Sequence, residues 1–278
     1  QEFATATGDD SWRRLAKDIL VKCTRLYDKP DFQPGAARSY LGQDAPLMPG
    51  ARVQGVWFCL INALTGILEA RPDAEMEKLA ARAVSAVMDY HWNPDFNLTN
   101  ELINHDMSRP AEPVSQLVYT GHAIETQWMI MYEAARKKDG KLFATAAERF
   151  RRHLEVAWDD VYGGVYAGLL NVDENRWETN KVLWAQLEVL IGLLFIIEHT
   201  GAQWAVDWFD RAYTYVITTY PLKKHGLPFW NNQGDRKMTF QPHYNRAENF
   251  HHPRHLMLNL LSLDRMIARK GRPSGLFG

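Results

Sequence analysis

Apolar positions recur at helical spacing in eight segments, near residues 11–27, 53–70, 74–91, 118–137, 142–158, 179–199, 202–219 and 253–269, with little strand-like alternation. The segments are of two kinds, and the kinds alternate. The first, third, fifth and seventh are amphipathic: Leu15, Ile19 and Leu26 lie opposite Arg13, Arg14 and Lys17, and Trp204, Trp208 and Tyr215 lie opposite Asp207 and Asp210. The others are apolar nearly all round, as in Val56-Trp57-Phe58-Cys59-Leu60-Ile61 and Leu190-Ile191-Gly192-Leu193-Leu194-Phe195-Ile196-Ile197. A helix of that kind is enclosed by other helices, so the pattern predicts an outer ring wrapped round an inner one. The expected fold is all-α, a toroid of αα-hairpins in one domain over residues 1–278.

The connections sort the same way. Links from an inner to the next outer helix are short (Arg71 to Asp73, Lys138 to Gly140, Gly201), whereas Asp28 to Arg52, His91 to Gln116, Asp159 to Thr179 and Tyr220 to Phe250 are long and rich in Gly, Pro, Asn and Asp. The long loops then gather at the N-terminal ends of the inner helices, which makes that face the candidate active face.

Composition narrows the function classes. A net charge of −1 without a Lys/Arg run argues against nucleic acid as a partner. Cys23 and Cys59 sit among apolar residues at helical spacing and read as small core side chains. The apolar run Trp184 to Ile197 is broken by Gln186 and Glu188, so no membrane span is expected. The first ten residues carry neither a basic nor an apolar region of a signal peptide, and a cytoplasmic location is expected. A near-neutral surface is compatible with a homodimer.

Three inner-helix entrances hold unusual side chains. His122 and Glu125, three apart, share a helix face, with Trp128 a turn further on. Such a pair is either a core histidine with a local partner or an imidazole oriented by a carboxylate. Trp184 and Glu188, four apart, project together, and a buried Glu requires a His or Arg from a neighbouring helix. The last helix is expected to start near Pro253, with His252 or Asn249 as its cap, and its polar mouth, His251, His252, Arg254 and His255, opens an otherwise apolar element. His251 and His255 have the spacing of a shared cation, yet a zinc site wants a third matching ligand, and no metal is expected. Imidazoles, carboxylates and indoles converging on one face suit a carbohydrate, because an indole stacks on a pyranose and carboxylates take its hydroxyls.

Taken in order, Gly121-His122-x-Ile124-Glu125-x-x-Trp128, Trp184-x-Gln186-x-Glu188 and Phe250-His251-x-Pro253-Arg254 resemble the N-acylglucosamine 2-epimerase and cellobiose 2-epimerase superfamily. The stretch Trp158-Asp159-Asp160-x-Tyr162-Gly163-Gly164-Val165-Tyr166 resembles the Gly-Gly loop of the same group. The resemblance implies an (α/α)6 barrel, here with the last four of six hairpins, and 2-epimerisation or aldose–ketose isomerisation of a small sugar without a metal or redox cofactor. It implies His122 and His251 as acid/base groups, Glu125 and Glu188 as carboxylates that position sugar and imidazoles, and Trp128, Trp184, Arg254 and Trp57 as substrate-binding residues. Cellobiose and mannose epimerases of the group carry a further His on the helix that here has Trp57 and Cys59, which brings this sequence closer to the N-acylglucosamine branch. The approach Glu248-Asn249 to His251 departs from the family pattern.

The chemistry accounts for the pair of histidines. A C–H next to a carbonyl is weakly acidic and needs a base whose range is near neutral, and inversion at C2 through a cis-enediolate needs one base on each face. One base shuttling the proton from C2 to C1 gives isomerisation instead. Two rival classes remain: a glycosidase pairing Glu125 with Asp159 or Asp160, and a sugar-binding protein that keeps Trp128 and Trp184 without catalysis.

Overall fold

The computed structural model describes residues 1–221 and 250–277. Contacts divide the chain into two compact units, Gln1–Leu117 and Val118–Gly278.

The first unit contains α1 (Glu2–Thr7), α2 (Ser11–Tyr27), α3 (Ala36–Leu41), α4 (Gln54–Ala70) and α5 (Ala74–Ser85), followed by a π-helical turn, Ala86–His91. The short strands β1 (Arg52–Val53), β2 (Trp92–Asn93), β3 (Leu98–Thr99) and β4 (Leu102–Ile103) tie its loops in two antiparallel pairs, β1 with β4 and β2 with β3. Helices α4 and α5 form a hairpin across the short link Arg71 to Asp73, and Asp73 starts the second helix. Its carboxylate accepts the N–H groups of Glu75 and Met76 at 3.0 and 3.1 Å, a cap worth about 1 kcal/mol. The inner helix α4 buries Trp57, Ile61, Leu64 and Leu68, as its apolar pattern requires. Helix α2 departs from expectation. Leu15, Ile19 and Leu26, read as its buried face, are 49%, 51% and 45% exposed, and among the described residues this helix buries only Thr24 and Tyr27. Amphipathic spacing marks a face fit for burial without naming what covers it.

In the second unit, α6 (Thr120–Lys137) and α7 (Gly140–Ala157) make one hairpin, and α8 (Leu183–Thr200) and α9 (Gln203–Thr219) the next. Helix α6 packs on α8, and so does α10 (His251–Ala268). The α8–α9 link is Gly201 and Ala202, with Gly201 left-handed (φ 67°), and Asp139 caps α7 by accepting the N–H of Leu142 at 2.9 Å. By length and composition α8 could cross a membrane, a reach the sequence reading denied it, but 72% of it is buried inside the fold. Its Gln186 and Glu188 are both hydrogen-bonded within the unit, which makes it the core inner helix that the apolar pattern predicts. Helix α10 is less enclosed than its composition implies. His255 and Ser262 are buried, while Leu256, Met257, Leu260 and Leu261 are exposed.

The α7–α8 loop carries the antiparallel pair β5 (Gly168–Asn171) and β6 (Arg176–Glu178) and is pinned at its base. Buried Lys181 binds the carboxylate of Asp159 at 2.5 Å and the carbonyl of Gly163 at 2.7 Å. Gln186 takes the N–H and gives to the C=O of Val165, both at 2.8 Å. The Gly-Gly loop is thereby held at the N-terminal end of α8.

Candidate active site

Within the second unit the N-terminal turns of α6, α8 and α10 bring together seven of the expected side chains: His122, Glu125, Trp128, Trp184, Glu188, His251 and Arg254. Helical spacing supplies the pairs, and packing supplies the junction. Gly121 permits the approach of α8 to α6. A Cβ there would lie 2.5 Å from Cη2 and 2.9 Å from Cζ3 of Trp184, so only glycine lets the indole seat. Trp184 neighbours both imidazoles, its ring centroid 5.5 Å from that of His122 and 5.4 Å from that of His251. Tyr119 meets His122 edge-on at 4.6 Å.

Glu188, fully buried, anchors the cluster. Its Oε1 lies 2.8 Å from Nδ1 of His251 and accepts Nη2 of Arg254 at 2.6 Å, and its Oε2 accepts Nε1 of Trp128 at 2.7 Å. The same Nη2 reaches Glu125 at 2.7 Å and lies 3.0 Å from Nδ1 of His251. Nδ1 of His251 thus faces an acceptor, Glu188, and a donor, Arg254; the shorter contact, 2.8 Å against 3.0 Å, assigns its hydrogen toward Glu188, and the guanidinium then lies beside the ring without a hydrogen bond to it. Nε2 is then the bare nitrogen, the tautomer a general base requires.

Burial, and then the negative charge of Glu188, pushes the carboxyl of Glu125 up to about 7, with Arg254 and His122 pulling the other way. Burial opposes the charge of Arg254, but Glu188 and Glu125 outweigh it and its pKa is raised. Glu125, Glu188 and His251 each present a ligand atom within 4.8 Å of the others, a set able to hold a metal ion. The cation they surround is the Arg254 guanidinium, and a divalent ion there would meet that charge at contact distance.

Some expected residues take different places. Trp128 is 3% exposed, and its N–H orients Glu188, so it supports the carboxylate and offers no open face to a sugar. Trp57 belongs to the other unit and is fully buried there, with Tyr27 edge-on at 5.2 Å and the guanidinium of Arg82 5.3 Å from its ring; it too presents no free face. His255 is turned into the fold with Nδ1 on the carbonyl of His252, and burial lowers its pKa to about 4, so it stays neutral and outside the cluster. Helix α10 starts at His251, two residues before the expected Pro253, with Phe250 as its cap residue. Glu248 and Asn249 lie outside the described residues. Of the glycosidase pair, Asp159 is bound to Lys181 and Asp160 is 89% exposed beside Arg211. The roles of Gln186 and Trp128 went unread because a motif records spacing and not which atom of a neighbouring loop or helix is met.

Helical hairpins whose inner helices bring their N-terminal turns to one polar cluster define the α/α-toroid class. The structure is similar to that of a sugar epimerase from a ruminal bacterium, with 17% identity, a TM-score of 0.62, and 78% of this chain and 54% of that one covered. It is also similar to the cellobiose 2-epimerase of Bacillus thermoamylovorans B4167 (16%, TM-score 0.64, 82% and 56% covered) and to a D-mannose isomerase (13%, TM-score 0.62, 81% and 58% covered). Glycoside hydrolases share the fold at lower similarity. The chain thus spans just over half the length of the epimerase and isomerase structures it matches. Among curated proteins no sequence matches it. The chain belongs to the N-acylglucosamine 2-epimerase family, whose model matches residues 52–255.

Proposed function

We propose that the protein is a sugar 2-epimerase of the N-acylglucosamine type, moving the C2 proton through a cis-enediolate with His122 and His251 as the acid/base pair. The observation that carries this reading is the order His122, Trp184, His251 along one end of the inner helices, with Glu188 fixing the tautomer of His251. One imidazole takes the C2 proton, and the other returns a proton to the opposite face. Glu125, with one oxygen on Arg254, is suited to hold a substrate hydroxyl, and Trp184 and Arg254 line the substrate. Glu188 and Trp128 act behind the reacting groups as positioning residues.

An aldose–ketose isomerase of the same family is the second reading, since one imidazole working alone carries the proton from C2 to C1. A hydrolase is disfavoured by the engagement of Asp159 with Lys181. The test is incubation with N-acetylglucosamine, N-acetylmannosamine, glucose, mannose and cellobiose in deuterated water, followed by NMR. The 2-epimer with deuterium at C2 is expected, lost in His122→Asn and His251→Asn. A ketose product selects the isomerase, and cleavage without exchange refutes both.

A further inference from the structure

Sugars open to 2-epimerisation differ most usefully at the reacting carbon itself. Glucose and mannose carry a hydroxyl on C2, whereas the N-acyl sugars carry a flat amide that ends in an apolar methyl. A side chain lying against the imidazole that works on C2 therefore also meets this substituent. We propose that Tyr119 is the specificity-determining residue, its ring receiving the acyl group on the C2 nitrogen, an assignment that rests on the epimerase reading above.

Three observations lead there. First, the ring touches both groups that the epimerase reading sets against the substrate. Its centroid lies 4.6 Å from that of His122, edge-on at 74°, and 6.0 Å from that of Trp184, inclined at 36°. Tyr119 and Trp184 thus form a shallow trough with the imidazole at its side, so a sugar lying on Trp184 with C2 at His122 has its C2 substituent within reach of Tyr119. Second, the ring is open where its neighbours are closed. Val118 and Thr120 are fully buried and Gly121 is buried, while Tyr119 is half-buried, as are His122 and Trp184. Open aromatic area beside a base gains nothing from a hydroxyl, but a methyl and a flat amide cover it and leave water behind. Third, the position of the ring is built into the fold. Val118 exchanges two backbone hydrogen bonds with Leu169, at 2.9 and 2.8 Å, and the hydroxyl of Thr120 donates to the carbonyl of Tyr166 at 2.5 Å. Gly168 makes the room: a Cβ there would lie 3.0 Å from Cδ2 of Tyr119. A ring held in place by the backbone on either side of it gives up little freedom when the acyl group arrives.

The test compares wild type with Tyr119→Ala and Tyr119→Phe on N-acetylmannosamine and on mannose. It reads C2 hydrogen exchange in deuterated water by NMR, and the binding of N-acetylmannosamine by saturation transfer from the aromatic hydrogens of the protein. Tyr119→Ala is expected to raise KM for N-acetylmannosamine about 10-fold with kcat within about 3-fold, and to move KM for mannose no more than about 3-fold. Tyr119→Phe keeps the ring and should stay within about 3-fold of wild type on both sugars. In wild type the acetyl methyl should receive more saturation than the C3 to C6 hydrogens. Several outcomes overturn the role of Tyr119 while the epimerase reading stands: KM rising equally for both sugars, a loss carried by kcat, as from a ring that only props His122, or Tyr119→Phe failing as badly as Tyr119→Ala. A methyl that receives no more saturation than the other hydrogens, or a wild type that exchanges mannose but not N-acetylmannosamine, does the same. A wild type that exchanges no C2 hydrogen with any of the sugars overturns the reading and this role together.

Discussion

Replacing Glu188 by Gln probes the centre of the cluster, because the shape is kept and only the charge and one acceptor are lost. The carboxylate receives three donors: Nδ1 of His251 and Nη2 of Arg254 on Oε1, and Nε1 of Trp128 on Oε2. An amide offers one acceptor and one donor, so in either orientation an N–H points at another N–H. A lost hydrogen bond to a charged partner costs about 1.5–3 kcal/mol, and His251 also loses the anion that keeps its hydrogen on Nδ1. Together these set the expected loss in kcat for C2 exchange at roughly 30- to 1000-fold, about 2–4 kcal/mol. A second effect has the opposite sign. The charge of Glu188 follows burial among the causes that raise Glu125, so its removal should bring the Glu125 titration down from about 7 toward the 4.5 of an ordinary Glu, read by carboxyl carbon NMR on labelled protein. A variant whose kcat stays within 3-fold, or in which Glu125 titrates unmoved, refutes the arrangement.

Glu125 makes stability fall with pH. Its folded pKa of about 7 lies above the 4.5 of an ordinary Glu, so its contribution is fully present below 4.5 and lost as pH rises to 7, with on the order of 3 kcal/mol at stake. Denaturant titrations across that window should slope less in Glu125→Gln than in wild type. Gly121→Ala drives a Cβ to 2.5 Å from Trp184 and should cost about 1–3 kcal/mol while lowering exchange at least 10-fold, followed by tryptophan fluorescence and NMR. At the other end of α8, burial opposes the charge of Glu198, but Arg265, Ser262 and Arg269 outweigh it and hold the carboxyl down to about 2. That contribution is present above 4.5 and lost as pH falls toward 2, so Glu198→Gln should lower Tm by an amount that shrinks on acidification, with kcat unchanged.

The parts of this site legible in the sequence are those that a single helix decides. His122 with Glu125, Trp184 with Glu188 and His251 with Arg254 share faces by spacing alone, and the apolar surround of Glu188 announces a buried charge in need of a partner. The identity of the partner is a property of three helices at once. Arg254 serves Glu125 and Glu188 from 129 and 66 residues away, and only the rotation of α10 about its axis decides that Nη2 arrives there and not the imidazole of His255. The same limit explains Trp57 and Trp128. A tryptophan on an inner helix scores as a sugar platform or as core with equal spacing, and the outcome turns on whether a neighbour such as Tyr27 or Glu188 has already taken its ring or its N–H. It also explains Leu15 and Leu256, which are apolar by pattern and exposed in the fold. Pattern states what each face requires, and requirements of unlike kind restrict one another. A buried carboxylate demands a cation, the cation brings an imidazole within 3.0 Å, and an imidazole whose hydrogen is fixed by that carboxylate has a free lone pair to offer a substrate. Structural satisfaction of Glu188 and chemical readiness of His251 are one arrangement, so a change that leaves the first intact while abolishing the second must act on Nε2 or on the substrate it meets.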